Sequence, residues 1–311
     1  MGRYMLYRLA DAIPTIWLVL TLVFIAMRIL PGDPAIAALG DGALPEQLAE
    51  FREKMGLNVP IWQQYFNFLI GTLTLDFGKS YMNGAPVLDL IARNLPYTIQ
   101  LTVAAMILGT VIGIPFGVLA AVKRGKLPDS GMRIFSLVGY AVPDFYLGAL
   151  FLIGFALNLR WFPINGAGSG FFDILHHLFL PALTLALVKA AFIGRLTRTS
   201  VLEGLGQASV RTARAKGARE NRVIYRHALR NALLPLATGM GLSLLATLSG
   251  SVAVDLVFNR PGIGRLLIQS ITERDYGVIQ GGVVVFALMV VFVNLMMDLL
   301  YVVIDPRIRV K

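Results

Sequence analysis

Long apolar runs alternate with shorter polar connections along the whole chain. Six of them, near 9–30, 97–122, 134–157, 178–198, 236–257 and 280–304, have membrane length, because about 20 apolar residues in a helix cross a hydrocarbon core of about 30 Å. The run at 280–304 is the clearest, with Asp298 as its single charge. The run at 178–198 is the weakest, since it holds Lys189 and ends at Arg195. The ten-residue alternation of a membrane β-barrel does not occur. The pattern predicts an all-α membrane protein with six transmembrane helices.

The connections carry patterns of their own. Residues 31–96 form the one sizeable loop on their side. Within it, 44–56 has helical spacing, with Leu48, Phe51 and Met55 on one face and a stop at Gly56, and 61–73 repeats the pattern with aromatics. A small helical cap on the membrane surface is expected here. The connection of about 40 residues after the fourth run reads RLTRTSVLEGLGQASVRTARAKGARENRVIYRHALRNALLP. Gly217 separates two helical stretches in it. The second aligns Arg222, Arg226 and Arg230 four residues apart, before Pro235 opens the fifth run.

Composition agrees with the pattern. Hydrophobic residues make up 56% of 311 and charged residues 15%, where a soluble domain carries about 25% charged. The chain has no cysteine, which excludes disulfides, thiolate metal sites and cysteine nucleophiles. A net charge of +10 would suggest nucleic acid, but 18 of the 28 Lys and Arg residues fall on one side of the spans: the start, the loop 123–133, the loop 195–230 and the tail. The opposite loops hold 8. The positive-inside rule then puts both termini in the cytoplasm and removes nucleic acid as a partner. The first run exceeds a signal-peptide core and ends in MRILPGD without a cleavage pattern, so it is expected to stay as a signal anchor.

The loop motif carries a resemblance. VRTARAKG followed by RHALRNALLP is similar to the coupling loop of ABC importer permeases, in the variant of the peptide and nickel branch. The general pattern has Glu-Ala-Ala six residues before its glycine. Here Arg211, Thr212 and Ala213 stand there, and His227 and Arg230 occupy positions of an apolar residue and a proline. RLADAIPTIWLVLTLVFIAMRILPGDPA, GLNVPIWQQYFNFL, LTLDFGKSY, GIPFGVLAAVKRG, VFNRPGIGRLL, RDYGVIQGG and DLLYVVIDPRIR extend the likeness to the branch's B-type subunit. The resemblance implies a type I importer transmembrane domain with an outer helical loop domain. Its parts would be a signal-anchor helix at 1–30, the loop domain at 31–94, the transmembrane domain at 95–304 with coupling loop 199–235, and a cytoplasmic tail at 305–311. It further implies a bacterial inner-membrane location, a second homologous permease, two cytoplasmic ATPase subunits that bind ATP and Mg, and an external solute-binding protein. Peptides would be the cargo, with nickel chelates, glutathione or opine-like compounds as alternatives. ATPase coupling would fall to Arg211, Thr212, Ala213, Arg214, Ala215, Lys216, Gly217, His227, Arg230 and Asn231.

Cargo of that kind needs a polar path, since an unpaired amide in an alkane-like medium costs about 4–8 kcal/mol. Asp144, after Pro143 and near mid-depth of the third span, is the candidate lining group. Lys189 and Asp298, both in the inner halves of their spans, are expected to neutralise each other. Arg28 and Asp255, near outer ends, are expected to snorkel. Gly109, Gly113 and Gly117 recur every four residues and permit close helix packing.

No catalytic, cofactor or metal residues are expected in this chain. His176 and His177 are adjacent, so a helix would not aim them at one ion. Gly78-Lys79-Ser80 has Leu73 where a phosphate loop needs its first glycine. An intramembrane enzyme would need H-E-x-x-H or G-x-S-x-G, and neither occurs. A self-sufficient channel or secondary transporter remains as a competing class, although no inverted repeat supports it.

Overall fold

The computed structural model describes residues 2–29, 34–40 and 42–304. The expected tail 305–311, with three of the orienting basic residues, lies outside the described residues. Among those described there is no strand, only an isolated bridge between Lys79 and Pro86. Five helices are long and apolar enough to cross a membrane: α1 (Gly2–Ile29), α5 (Val87–Val122), α8 (Phe171–Leu205), α11 (Leu229–Val257) and α13 (Tyr276–Ile304). Between them lie α2 (Pro34–Leu39), α3 (Pro45–Lys54), α4 (Ile61–Thr74), α6 (Leu127–Ala141), α7 (Asp144–Phe151), α9 (Ala208–Ala215), α10 (Glu220–Arg222) and α12 (Ile263–Glu273).

The third run is the one that departs from a straight rod. α6 and α7 meet at an angle of 101°, and a π-helical stretch, Leu152–Asn158, follows α7. Pro143 is the cause. Its ring disfavours α geometry at the preceding residue, and Val142 is extended with φ −98° and ψ 119°. The remaining run expected as a span corresponds to this bent pair, which has the form of a broken span or a re-entrant segment. The fifth differs in the other direction. Pro235 lies inside α11 and does not open it. Helical structure runs from Glu220 through a π-helical turn, Val223–Ala228, into α11 as one stretch to Val257.

The chain divides into two compact units. One comprises Thr98–Arg260 and, of the described residues, 293–304. At its centre stands α8, which packs against α6, α7 and α11. Small residues on α8, among them Ala182, Ala186, Ala190 and Ala191, are fully buried and let its neighbours approach. An apolar cluster of Val118, Val201, Val210, Ala213, Val223, Ile224 and Ala228 ties α9 and the π-helical turn to α5 and α8.

The other unit comprises Gly2–Tyr97 and Pro261–Phe292. Leu20 and Val23 of α1, Phe68 and Leu69 of α4 and Val284 of α13 share one cluster, and Val87, Ile91, Ile263 and Val278 form a second. The described residues of the expected loop domain at 31–94 fall in this unit together with α1 and 261–292. Arg28 is exposed near the end of α1, where its guanidinium donates to Gln64 Oε1 at 2.5 Å and lies 4.8 Å from the Phe24 ring.

Candidate functional site

The residues singled out by sequence fall into two places within the first unit. The first is the connection after α8. α9 buries Val210 and Ala213 and leaves Arg211, Thr212, Arg214, Ala215 and Lys216 exposed. Gly217 then turns the chain with φ +76°, a left-handed conformation that glycine adopts without steric cost, and a Cβ there would point into open space. Arg214 closes the turn from outside with a bidentate pair to Glu220 at 2.5 and 3.2 Å. Asn231 donates to Gln207 Oε1 at 2.6 Å, which fixes the start of α9 to α11. Gly204 admits the Ala228 carbonyl, which would stand 2.8 Å from a Cβ. The result is a groove of about 790 Å³ lined by Lys216, Gly217, Arg219, Arg222, Arg226 and His227. Arg230 is exposed on the first turn of α11. The groove is strongly cationic, and its floor is anchored by the apolar cluster beneath it.

The second place is a cavity of about 430 Å³ bordered by α6, α7, α8 and α11. The bend at Pro143 delivers Asp144 to the first turn of α7, and Lys189 of α8 faces it with Nζ 3.6 Å from Oδ2. The expected pairing of Lys189 with Asp298 is corrected here: the partner of Lys189 is Asp144. The choice is one of azimuth. The side of α8 turned to α7 carries the ammonium. Gly250 of α11 makes room for the carboxylate, since a Cβ there would stand 2.7 Å from Asp144 Oδ2. Sequence reading missed Gly250, which sits in an unremarkable Ser-Gly-Ser run.

The glycines of α5 lie against α8. Cβ atoms on Gly109, Gly113 and Gly117 would meet backbone oxygens of Ala186, Ala190 and Gly194 at 3.1, 2.9 and 2.4 Å. Asp255 is corrected as well. It is fully buried and does not snorkel, and neither carboxylate oxygen has a hydrogen-bond partner. Below the cavity, sequence reading missed Asp129. This residue is 1% exposed and accepts from Gly125 N at 2.9 Å, from Arg133 at 3.0 Å and from Arg198 Nε.

Two motifs resolve into structural roles. His176 Nε2 contacts the Trp161 carbonyl at 2.8 Å, while His177 Nδ1 lies 2.9 Å from the Asp173 carbonyl and 3.1 Å from its carboxylate. Gly78-Lys79-Ser80 lies in a turn, with the Ser80 hydroxyl donated to Asp275.

A multi-span helical protein with a mostly apolar cavity that holds one ion pair beside a bent helix pair, and a basic groove at one helix end, fits a solute-transporting membrane subunit. The comparisons with known proteins give the family. The model for the binding-protein-dependent transport system inner membrane component matches residues 113–310, and the model for the N-terminal part of such components matches 1–102. The chain belongs to this family and is a permease subunit of an ABC importer. A probable peptide ABC transporter permease of Sinorhizobium fredii is 41% identical over 99% of this chain and 100% of its own length. The dipeptide transport system permease protein DppB of Escherichia coli is 38% identical over the full length of both. Among solved structures, a chain of the MetNI methionine ABC transporter in inward-facing conformations shares the fold, with a TM-score of 0.58 and 20% identity over 70% of this chain and 96% of that one.

Proposed function

We propose that this chain forms half of a translocation path for short peptides across a bacterial inner membrane, and that ATP hydrolysis in separate subunits drives it. Both termini face the cytoplasm in this reading. A second homologous permease completes the path, two ATPase subunits that bind ATP and Mg dock from inside, and a solute-binding protein delivers cargo from outside. The chain supplies no ATPase site of its own.

The observation that carries the reading is the cationic groove around Gly217. Exposed Arg211, Thr212, Arg214, Ala215 and Lys216 offer a short helix to a partner's groove. His227, Arg230 and Asn231 belong to the same docking face. The helical stretch Glu220–Val257 continues from that face into a span, so a push on one end is transmitted without an intervening flexible joint. The names of the two permeases above support peptides as cargo.

Replacing Gly217 with tryptophan tests the coupling. The backbone there needs φ +76°, and a large side chain would project from the docking face. The assembled transporter is expected to keep hydrolysing ATP while uptake falls about tenfold or more, within the range of coupling free energies between sites. Unchanged uptake would overturn the assignment of this loop.

A further inference from the structure

Asp144 and Lys189 face each other across the cavity at 3.6 Å. That separation neutralises charge but exceeds the 2.7–2.9 Å of a charge-assisted hydrogen bond. Their side chains keep 19% and 10% of their exposure, and both line the cavity. Asp144 therefore has acceptor capacity, and Lys189 donor capacity, that the pair itself does not use. Stability is a weak reason for the arrangement, because apolar residues of similar volume in place of a buried pair are often no less stable. Gly250 leaves the carboxylate lying against bare α11 backbone, since a Cβ there would stand 2.7 Å from Asp144 Oδ2.

We propose that the Asp144–Lys189 pair is a mid-membrane subsite for a molecule carrying an ammonium and a carboxylate on one short skeleton, as a free dipeptide does. The inference rests on the peptide-import reading and deepens it. The ligand ammonium takes the place of Lys189 Nζ at Asp144, and the ligand carboxylate takes the place of Asp144 at Lys189. One internal pair is exchanged for two intermolecular pairs, so no net charge enters the low-dielectric region. Between passages the two side chains neutralise each other, and the cavity holds no uncompensated charge. A cation alone would strand Lys189, and an anion alone would strand Asp144. A volume of about 430 Å³ lies within the roughly 300–1,000 Å³ of small-molecule sites.

The test uses the assembled transporter without its solute-binding protein, reconstituted in nanodiscs, and saturation-transfer NMR, which reads weak binding directly. The probes are Ala-Ala and its N-acetylated, C-amidated form. The wild type is expected to bind Ala-Ala about tenfold or more tightly than the blocked form, since each terminus contributes a charge-assisted contact. Asp144→Asn and Lys189→Met each weaken Ala-Ala binding. The double variant removes both charges, leaves none unpaired, and brings the two probes to within about twofold of each other, as expected once neither contact is available. A double variant that keeps the wild-type preference, or a wild type that imports Ala-Ala with its binding protein yet shows no signal without it, overturns the subsite and leaves the import reading standing. A wild type with no ATP-driven Ala-Ala uptake overturns both.

Discussion

Ser80 and Asp275 stand 195 positions apart in the chain and meet through a 2.5 Å hydrogen bond, donated by the Ser80 hydroxyl to Asp275 Oδ2. The other carboxylate oxygen accepts from the Tyr81 backbone N–H at 3.2 Å and from Val278 N–H at 3.4 Å. Asp275 thus caps the start of α13 and holds the turn 78–86 at the same time. Both partners are buried, at 4% and 2% exposure. Asp275→Ala leaves the Ser80 hydroxyl and backbone donors unsatisfied and is expected to destabilise the purified protein by about 1–3 kcal/mol. Ser80→Ala takes the donor from Asp275 Oδ2 and the acceptor from the Met82 and Asn83 N–H groups, but Asp275 keeps the Tyr81 and Val278 donors on its other oxygen, so the cost is expected to be smaller, about 1 kcal/mol. Thermal unfolding in detergent separates the two, and equal midpoints would remove Asp275 as the organiser of this turn.

The glycine stripe of α5 makes a graded prediction. Alanine in place of helical glycine gains about 0.5–1 kcal/mol from reduced chain entropy, while an overpacked contact costs about 1–3 kcal/mol. At Gly109 the nearest atoms would be 3.1 and 3.2 Å from the new methyl, a squeeze a small shift relieves. At Gly117 they would be 2.4 and 2.7 Å away, and the first is the Gly194 carbonyl oxygen on a packed helix. Gly109→Ala is expected to be near neutral and Gly117→Ala clearly destabilising, with Gly113→Ala between them. Melting temperatures of the three variants in that order check the argument, and a flat series would mean that α5 and α8 are free to separate.

How much of this was legible in the sequence depended on range. Span length and the period-four glycines are local patterns, and α1, α5, α8, α11 and α13 fall where the apolar runs are. The bend at Pro143 was written locally too, but an apolar run of span length hides a break inside it. The partner of Lys189 was not legible. Sequence assigns depth in a membrane, and Asp298 qualifies by depth, but the face of each helix turned toward Lys189 follows from packing. Asp129 carried no signal, because a Pro-Asp-Ser start of a helix reads as a solvated cap until Arg198 is brought to it from 69 positions away.

That cluster separates two arginines that look alike in sequence. Arg198 keeps 16% side-chain exposure and Arg133 keeps 64%. Removing Asp129 strands Arg198 in a poorly solvated site, and a broken buried pair costs about 3–5 kcal/mol. Removing Arg133 gives up an exposed i,i+4 pair worth about 0–1 kcal/mol. Asp129→Ala is therefore expected to lower the yield of folded protein sharply, with Arg133→Ala close to wild type. Size-exclusion profiles and melting curves of the two variants decide it, and a mild Asp129→Ala would mean that water reaches Arg198 in the membrane-inserted state.

The bend between α6 and α7 has one identifiable cause, and that makes it testable. Pro143 holds Val142 out of helical geometry and places Asp144 in the first turn of α7. Pro143→Ala lifts the restriction on Val142 and restores a backbone donor, so the two helices gain the option of running on as one rod. The chain has no cysteine, and spin labels at Leu137 and Leu150, both exposed, report the bend without background. In the wild type, with the helices at 101°, the labels are held close. In Pro143→Ala their separation is expected to lengthen toward the roughly 20 Å that thirteen residues of unbroken helix span. Straightening would also carry Asp144 away from Lys189, so the same variant should lose the preference for free peptide termini. A separation unchanged by the substitution would show that packing of α7 against α8 and α11, and not the proline, sets the bend.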